Sequence, residues 1–276
     1  MNLLELIRAA LKEDMPAGDL TTESLALSPR QGRAKLIAKQ DMILSGTAAF
    51  EQTMQTLEPN AKLKWHFEEG NQILKKQILC TLQGDLIQIL KAERVALNFL
   101  MHLSGIATFT AEFCKKVAPY GTKILDTRKT LPGYRELEKR AVFHGGGANH
   151  RMNLSSAILI KDNHISVMGG ITPAVLRIRE HHNGPIEVEA RTLEDVKECV
   201  DLKVQRILLD NMDQNLLSQA VKLVPGSIET EASGNMTLDR VASVAEIGVN
   251  FISVGALTHS APSADISLMF QWNEKE

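Results

Sequence analysis

Six short apolar runs, at 123–126, 157–160, 186–189, 206–209, 228–231 and 251–254, alternate with helix-patterned segments through the second half of this chain. From the second run onward the starts fall at 157, 186, 206, 228 and 251, so the intervals are 29, 20, 22 and 23 residues. Short continuous apolar runs read as strands buried on both faces, and a strand–helix rhythm makes successive strands parallel. A full eight-fold βα barrel takes about 250 residues, whereas 122–259 spans 138. A reduced barrel of six or seven strands is therefore expected.

The region before it is patterned differently. Its first residues, MNLLELIRAALKEDM, read as an amphipathic helix with Leu3, Leu4, Ile7 and Leu11 on one face. Residues 17–22 read as a turn, 33–40 and 62–67 as strands around a helix at 47–57, and 70–82 as a further strand pair. A helix over 85–103 is apolar around most of its circumference, and Gly105 is expected to break it. Arg94 stands within that helix. Burying it unpaired would be costly, so it must reach either an internal acid or an anion outside its own fold.

In a βα barrel the residues just past the strand C-termini converge on one mouth. Here they are Arg128 and Lys129, then Lys161, Asp162, Asn163 and His164, then Glu189, then Asp210 and Asn211, then Ser233, Gly234 and Asn235, then Gly255. Early strands supply cations, middle strands carboxylates, and the last two glycines. Glycine loops leading from the final strands into helices suit a phosphate monoester. Glu189 and Asp210 could hold Mg²⁺, which takes oxygen ligands and bridges to substrate phosphates.

Charge distribution points the same way. The stretch 127–163 carries seven basic residues against three acidic ones, in a chain of net charge −2. A basic island in a balanced chain argues for a small anionic ligand rather than a nucleic acid. Aromatic content of 4% also weakens a stacking-based single-strand reading. Within the island, Arg135, Glu136, Glu138, Lys139 and Arg140 have the spacing of a solvated helix face. Gly145-Gly146-Gly147 reads either as plain loop or as a backbone path past a ligand. His150, His164 and His259 could equally be core histidines or site residues. Cys80, Cys114 and Cys199 show no CxxC spacing, which suggests a reducing compartment, best the cytoplasm. No apolar run is long enough to span a bilayer, and no signal-peptide layout opens the chain.

The motifs GDLTT from Gly18, ERVALNFL from Glu93, LSGIAT from Leu103, DTRKT from Asp126, HGGGANHR from His144, ILIKDNH from Ile158, IEVE from Ile186, LLDNM from Leu208, EASGN from Glu231 and ISVGALTHSAP from Ile252 together resemble the quinolinate phosphoribosyltransferase family. One departure stands at Asn235, where the family often has a second glycine. Asn tolerates left-handed backbone better than most residues, so the loop is expected to be intact.

The resemblance implies transfer of phosphoribosyl from 5-phosphoribosyl 1-pyrophosphate to quinolinate with decarboxylation, giving nicotinate mononucleotide, pyrophosphate and CO₂. By similarity Arg128, His150, Arg151 and Lys161 hold quinolinate, and Arg94 comes from a neighbouring subunit of an even-numbered homo-oligomer. Lys129 partners the pyrophosphate, while Lys129, Lys161, Glu189 and Asp210 form the catalytic set. Ser233, Gly234, Asn235, Gly255 and His259 take the 5-phosphate. The implied domains are an N-terminal α/β sandwich, 1–104, and a βα barrel, 105–261, with 262–276 packing back on the first. Two rivals remain: a molybdenum-associated paralogue of the same fold, which is expected to lack the Lys161-Asp162-Asn163 sequence, and a non-catalytic phosphate or nucleotide sensor.

Overall fold

The structure, a computed structural model, describes residues 2–271. They fall into two compact units: the described residues of Met1–Ala111, Leu131–Gly146 and Ser260–Glu276 form one, and Glu112–Thr130 with Gly147–His259 the other. In chain order the first unit carries strands β1 (Gln31–Ala38), β2 (Met42–Ile43), β3 (Lys62–Trp65), β4 (Gln72–Ile73) and β5 (Ile78–Asp85). The second carries β6 (Lys123–Leu125), β7 (Ile158–Ile160), β8 (Ile186–Ala190), β9 (Arg206–Asp210), β10 (Glu229–Ser233) and β11 (Phe251–Ser253). Strand β12 (Ile266–Gln271) belongs again to the first unit.

The first unit is built on an antiparallel sheet of order β12-β1-β5-β3, with β2 and β4 as a separate pair. Along β1, Ala34, Leu36 and Ala38 alternate inward, as the two-residue period of a strand requires. They meet Phe50 and Met54 of the helix Thr47–Leu57, Leu82 of β5 and Leu86 and Leu100 of the helix Leu86–Val117 in one apolar core. Strand β12 adds Ile266 and Leu268 to that core, its register running from Arg33 opposite Gln271 to Ala38 opposite Ile266. Residues 272–276 of the segment expected to pack back lie outside the described residues.

Four expectations for this unit need correction. The strand pair in 70–82 is two strands that do not pair with each other: β4 pairs with β2, and β5 with β1 and β3. The turn at 17–22 leads into a short helix, Leu20–Ser24, because the Asp19 carboxylate accepts from the Thr21 and Thr22 N–H groups and caps it. The long helix does not stop at Gly105 but continues to Val117. A Cβ at 105 would lie 2.2 Å from the Pro262 carbonyl oxygen, so the glycine makes room for a backbone crossing. The charged helix Arg135–His144 is not wholly solvated: Glu138 and Lys139 are buried, and the Glu138 carboxylate accepts from His102 Nε2 at 2.8 Å and Leu131 N at 3.2 Å.

The second unit is the expected parallel sheet, with six strands among the described residues in the order β6-β11-β10-β9-β8-β7. All five neighbouring pairs are parallel, and β6 and β7 form its two ends. Register sets Arg206 beside both Glu187 and Glu229, Leu208 beside Glu189 and Glu231, and Asp210 beside Ser233. Every second residue faces the same way, so β8, β9 and β10 turn a row of charged groups to one side.

Candidate active site

A cavity of about 720 Å³ opens at the C-terminal ends of these six strands. Cations reach it from the strands at the two ends of the sheet: Arg128 and Lys129 past β6, Lys161 past β7, and His150 and Arg151 from the loop before β7. That loop is anchored by buried Asp126, whose carboxylate accepts from Asn149 Nδ2 at 2.6 Å and His150 N at 2.9 Å. Arg151 donates to the Ala157 carbonyl at 3.1 Å. Burial, then the neighbouring Arg128 charge, holds the Arg151 guanidinium below its ordinary pKa. The two guanidiniums repel each other, and an anion beside them would relieve that repulsion.

Beneath the cations lies a buried charged layer. His150 Nε2 is 3.3 Å from Glu187 Oε2 and 3.6 Å from Glu231 Oε2. Arg206 Nη1 is 3.3 Å from Glu231 Oε2, and its guanidinium lies 4.1 Å above the Phe251 ring. Burial and the Glu187 charge push the Glu231 carboxyl up to about 7. For His150 burial opposes the charged ring, but the hydrogen bond to Glu187 and the two carboxylates prevail and raise its pKa. Arg151 N–H points at His150 Nδ1 at 2.7 Å, so the Nε2 proton facing the carboxylates is common to both protonation states. The donor atoms of His150, Glu187 and Glu231 lie within 4.8 Å of one another, a spacing that a metal could use. Arg206 already gives Glu231 a cation there.

Carboxylates gather at the ends of β8 and β9. One nitrogen of Arg191, Nη2, lies 2.9 Å from Glu189 Oε1, 3.0 Å from Asp162 Oδ2 and 3.5 Å from Asp210 Oδ2. Burial, then the Asp210 charge, raises the Glu189 pKa. Glu189 Oε1 is buried and makes no hydrogen bond, its 2.9 Å approach to Arg191 being a charge contact without hydrogen-bond alignment. Three converging carboxylates with a buried open oxygen are a donor set that suits a hard divalent cation.

The ends of β10 and β11 are shaped by backbone. Gly234 has φ of +98°, and a Cβ there would lie 2.1 Å from Asn211 Oδ1. Asn235 takes the left-handed conformation at φ 49°, as its residue type allows. Arg240 donates to the Gly234 carbonyl at 2.9 Å and the Met212 carbonyl at 2.7 Å, joining the two loops. A Cβ at Gly255 would lie 2.9 Å from Lys129 Cδ and 3.3 Å from His259 Nε2. The helix after Ser233 begins only at Val241, so at that loop the exposed donors belong to the turn, not to a helix N-terminus; after Gly255 a helix starts at Ala256.

The cavity thus gathers every residue expected at the mouth except His164, and Arg94, expected from a neighbouring subunit, does not line it. His164 Nδ1 accepts from Lys161 N at 3.0 Å and serves the helix start. Arg94 is exposed on the helix Leu86–Val117, next to Glu93, whose pKa burial raises and the Arg94 charge only partly offsets. Gly145 does not line the cavity either; a Cβ there would meet the Ala107 carbonyl oxygen at 2.3 Å, so packing explains it. Arg191 and Glu231 were not among the expected residues. Their signal was the alternation in IEVEAR and ETEAS, where polar residues recur every second position in otherwise apolar strands.

The N-terminal domain model of quinolinate phosphoribosyl transferase matches residues 19–104, and the C-terminal domain model 106–269. A Synechocystis protein described as a probable carboxylating nicotinate-nucleotide pyrophosphorylase is 40% identical, covering 95% of this chain and 90% of the relative. A tobacco mitochondrial decarboxylating quinolinate phosphoribosyltransferase is also 40% identical, covering 97% and 82%. Among solved structures, the nicotinate-nucleotide pyrophosphorylase of Ehrlichia chaffeensis superposes with a TM-score of 0.94 at 36% identity, over 98% of this chain and 99% of that one.

Proposed function

Because this chain belongs to the quinolinate phosphoribosyltransferase family, we infer that it transfers phosphoribosyl from 5-phosphoribosyl 1-pyrophosphate to quinolinate, giving nicotinate mononucleotide, pyrophosphate and CO₂ in NAD biosynthesis. The observation that carries this reading is the sorting of charge in one cavity: cations at β6 and β7, carboxylates at β8 and β9, glycine loops at β10 and β11. A planar dicarboxylate and a phosphorylated sugar need those three surfaces.

Arg128, His150, Arg151 and Lys161 hold the two carboxylates and turn the pyridine nitrogen toward the anomeric carbon. Glu189 and Asp210 hold the ribose hydroxyls and the metal, and Lys129 the pyrophosphate. Ser233, Gly234, Asn235, Gly255 and His259 hold the 5-phosphate. Mg²⁺ at Glu189 and Asp210 would supply charge neutralisation for the departing pyrophosphate. As the N–C bond forms, the anomeric C–O bond breaks, and positioning plus charge stabilisation carry that step without a protein nucleophile. The pyridinium then accepts the electron pair as the 2-carboxylate leaves as CO₂, and that carbon takes a proton. Lys161 steadies the carbanion.

The test is to incubate the pure protein with quinolinate, phosphoribosyl pyrophosphate and Mg²⁺ and to detect nicotinate mononucleotide. No product at any pH or with any divalent metal would refute the reading. Arg94 completes the site of a neighbouring subunit in an even-numbered homo-oligomer, a role supported by its exposure on an otherwise largely buried helix. Mixed dimers of Arg94→Ala and Lys161→Ala chains should regain about a quarter of wild-type activity, since half of randomly exchanged dimers carry one intact site. Confirmed mixed dimers that stay inactive would assign Arg94 to its own subunit. Three free thiols support a cytoplasmic location, and among the described residues no helix is long and apolar enough to cross a membrane.

A further inference from the structure

The reading of Glu189 and Asp210 as metal holders leaves Arg191 without a role, yet its Nη2 is the atom on which Asp162, Glu189 and Asp210 converge. We propose that Arg191 is a resident counter-cation that occupies the metal position and must be displaced before a divalent ion can enter. The proposal rests on that metal reading. Mg²⁺ binds carboxylate oxygens at about 2.0–2.1 Å. A cation held by Glu189 and Asp210 would need the space beside their carboxylates, and a nitrogen 2.9 Å from Glu189 Oε1 and 3.5 Å from Asp210 Oδ2 takes it.

The side chain is built to leave. Its root is fixed, because Arg191 N donates to Asp195 Oδ2 at 2.9 Å within the capping box that starts the helix Leu193–Asp201. Its tip is loose, with 52% of the side chain exposed. Glu189, by contrast, is 9% exposed at its side chain and cannot follow. A guanidinium swung from the carboxylates stays in the cavity it shares with Lys129, the residue assigned to the pyrophosphate, and a guanidinium pairs well with phosphate oxygens. Metal and the pyrophosphate-bearing substrate would then enter together: the ion takes the carboxylates while the anion takes Arg191. Metal alone should bind poorly.

Mn²⁺ binding to the full-length protein, followed through the paramagnetic resonance of the free ion, tests this without turnover. Arg191→Ala and the near-isosteric uncharged Arg191→Gln should each bind Mn²⁺ about five- to tenfold tighter than wild type, as removal of a small ion-pair network implies. Arg191→Lys should stay near wild type. A residue that only steadies the loop would lower the melting temperature in these variants without tightening Mn²⁺. If wild type and both uncharged variants bind Mn²⁺ equally, and Glu189→Gln abolishes that binding, the counter-cation role is overturned while the metal reading stands. Absence of Mn²⁺ binding in every form would overturn both.

Discussion

Two buried acids of the antiparallel unit and three buried glutamates of the parallel unit are treated in opposite ways. In the antiparallel unit Asp85 accepts from the Arg30 and Ile87 N–H groups with Oδ1, and Glu138 accepts with one oxygen from His102 and with the other from Leu131. In the parallel unit Glu187, Glu189 and Glu231 each keep a buried oxygen without a hydrogen bond. An unsatisfied buried acceptor costs on the order of 1–3 kcal/mol, so the second unit gives up stability where the first gains it. The same chain satisfies Asp85 and Glu138, which only support the fold, and leaves an oxygen of Glu189 without a hydrogen bond where a ligand is to arrive, while Glu187 and Glu231 keep theirs in the charged layer beside His150 and Arg206.

The sharpest way to break this contrast is to substitute on both sides of it. In the parallel unit, Glu189→Gln with Asp210→Asn, and separately Lys161→Ala, should lower kcat/KM by about a hundredfold or more while the melting temperature holds or rises. Steady-state assays beside thermal denaturation decide it. A large loss of stability in those variants would make the open oxygens structural after all. Asp85→Ala in the antiparallel unit should do the reverse, costing about 2 kcal/mol in urea denaturation by stranding the buried Ile87 N–H and the part-buried Arg30 N–H and leaving kcat/KM unchanged.

A subtler difference lies in pH. Glu231 binds its proton more tightly in the folded chain than at its ordinary value of 4.5, with a pKa of about 7. Its contribution to stability is therefore complete below about 4.5 and is lost as pH rises through about 7. Glu231→Gln should flatten the fall in stability between about pH 5 and about pH 8 by on the order of 1 kcal/mol. An unchanged slope would show that Glu231 ionises freely. The smallest effect is expected where the units do not differ. Burial pushes the thiols of Cys80 in one unit and Cys199 in the other up to about 12, and that of Cys114 to about 11. Alkylation of the native protein near pH 8, read by mass spectrometry, should be negligible at all three.

What the sequence made legible follows the same division. Strands of the parallel unit are buried on both faces, so their apolar runs stand out, and the mouth residues follow from where each run stops. Arg191 escaped because its significance lies in three contacts from separate strand ends, and Glu231 because its acid is the last residue of the run 228–231 rather than a residue past it. Gly105 misled for a related reason: its partner is a carbonyl 157 residues further on, and local propensity favours a break where only a close crossing exists. Glu138 and Lys139 have the spacing of a surface face, and only tertiary packing buries them.

The pairing of β1 with β12 has a consequence for synthesis. These strands exchange hydrogen bonds across more than two hundred intervening residues, and β12 supplies Ile266 and Leu268 to the first core. A chain emerging from the ribosome can complete the whole parallel sheet, which ends at Ser253, before the sheet it began with has its last strand. Until then one side of β1 is an open edge, able to recruit another nascent chain. The part made first is finished last, and a slow or truncated C-terminus would be felt as aggregation rather than as a lost reaction.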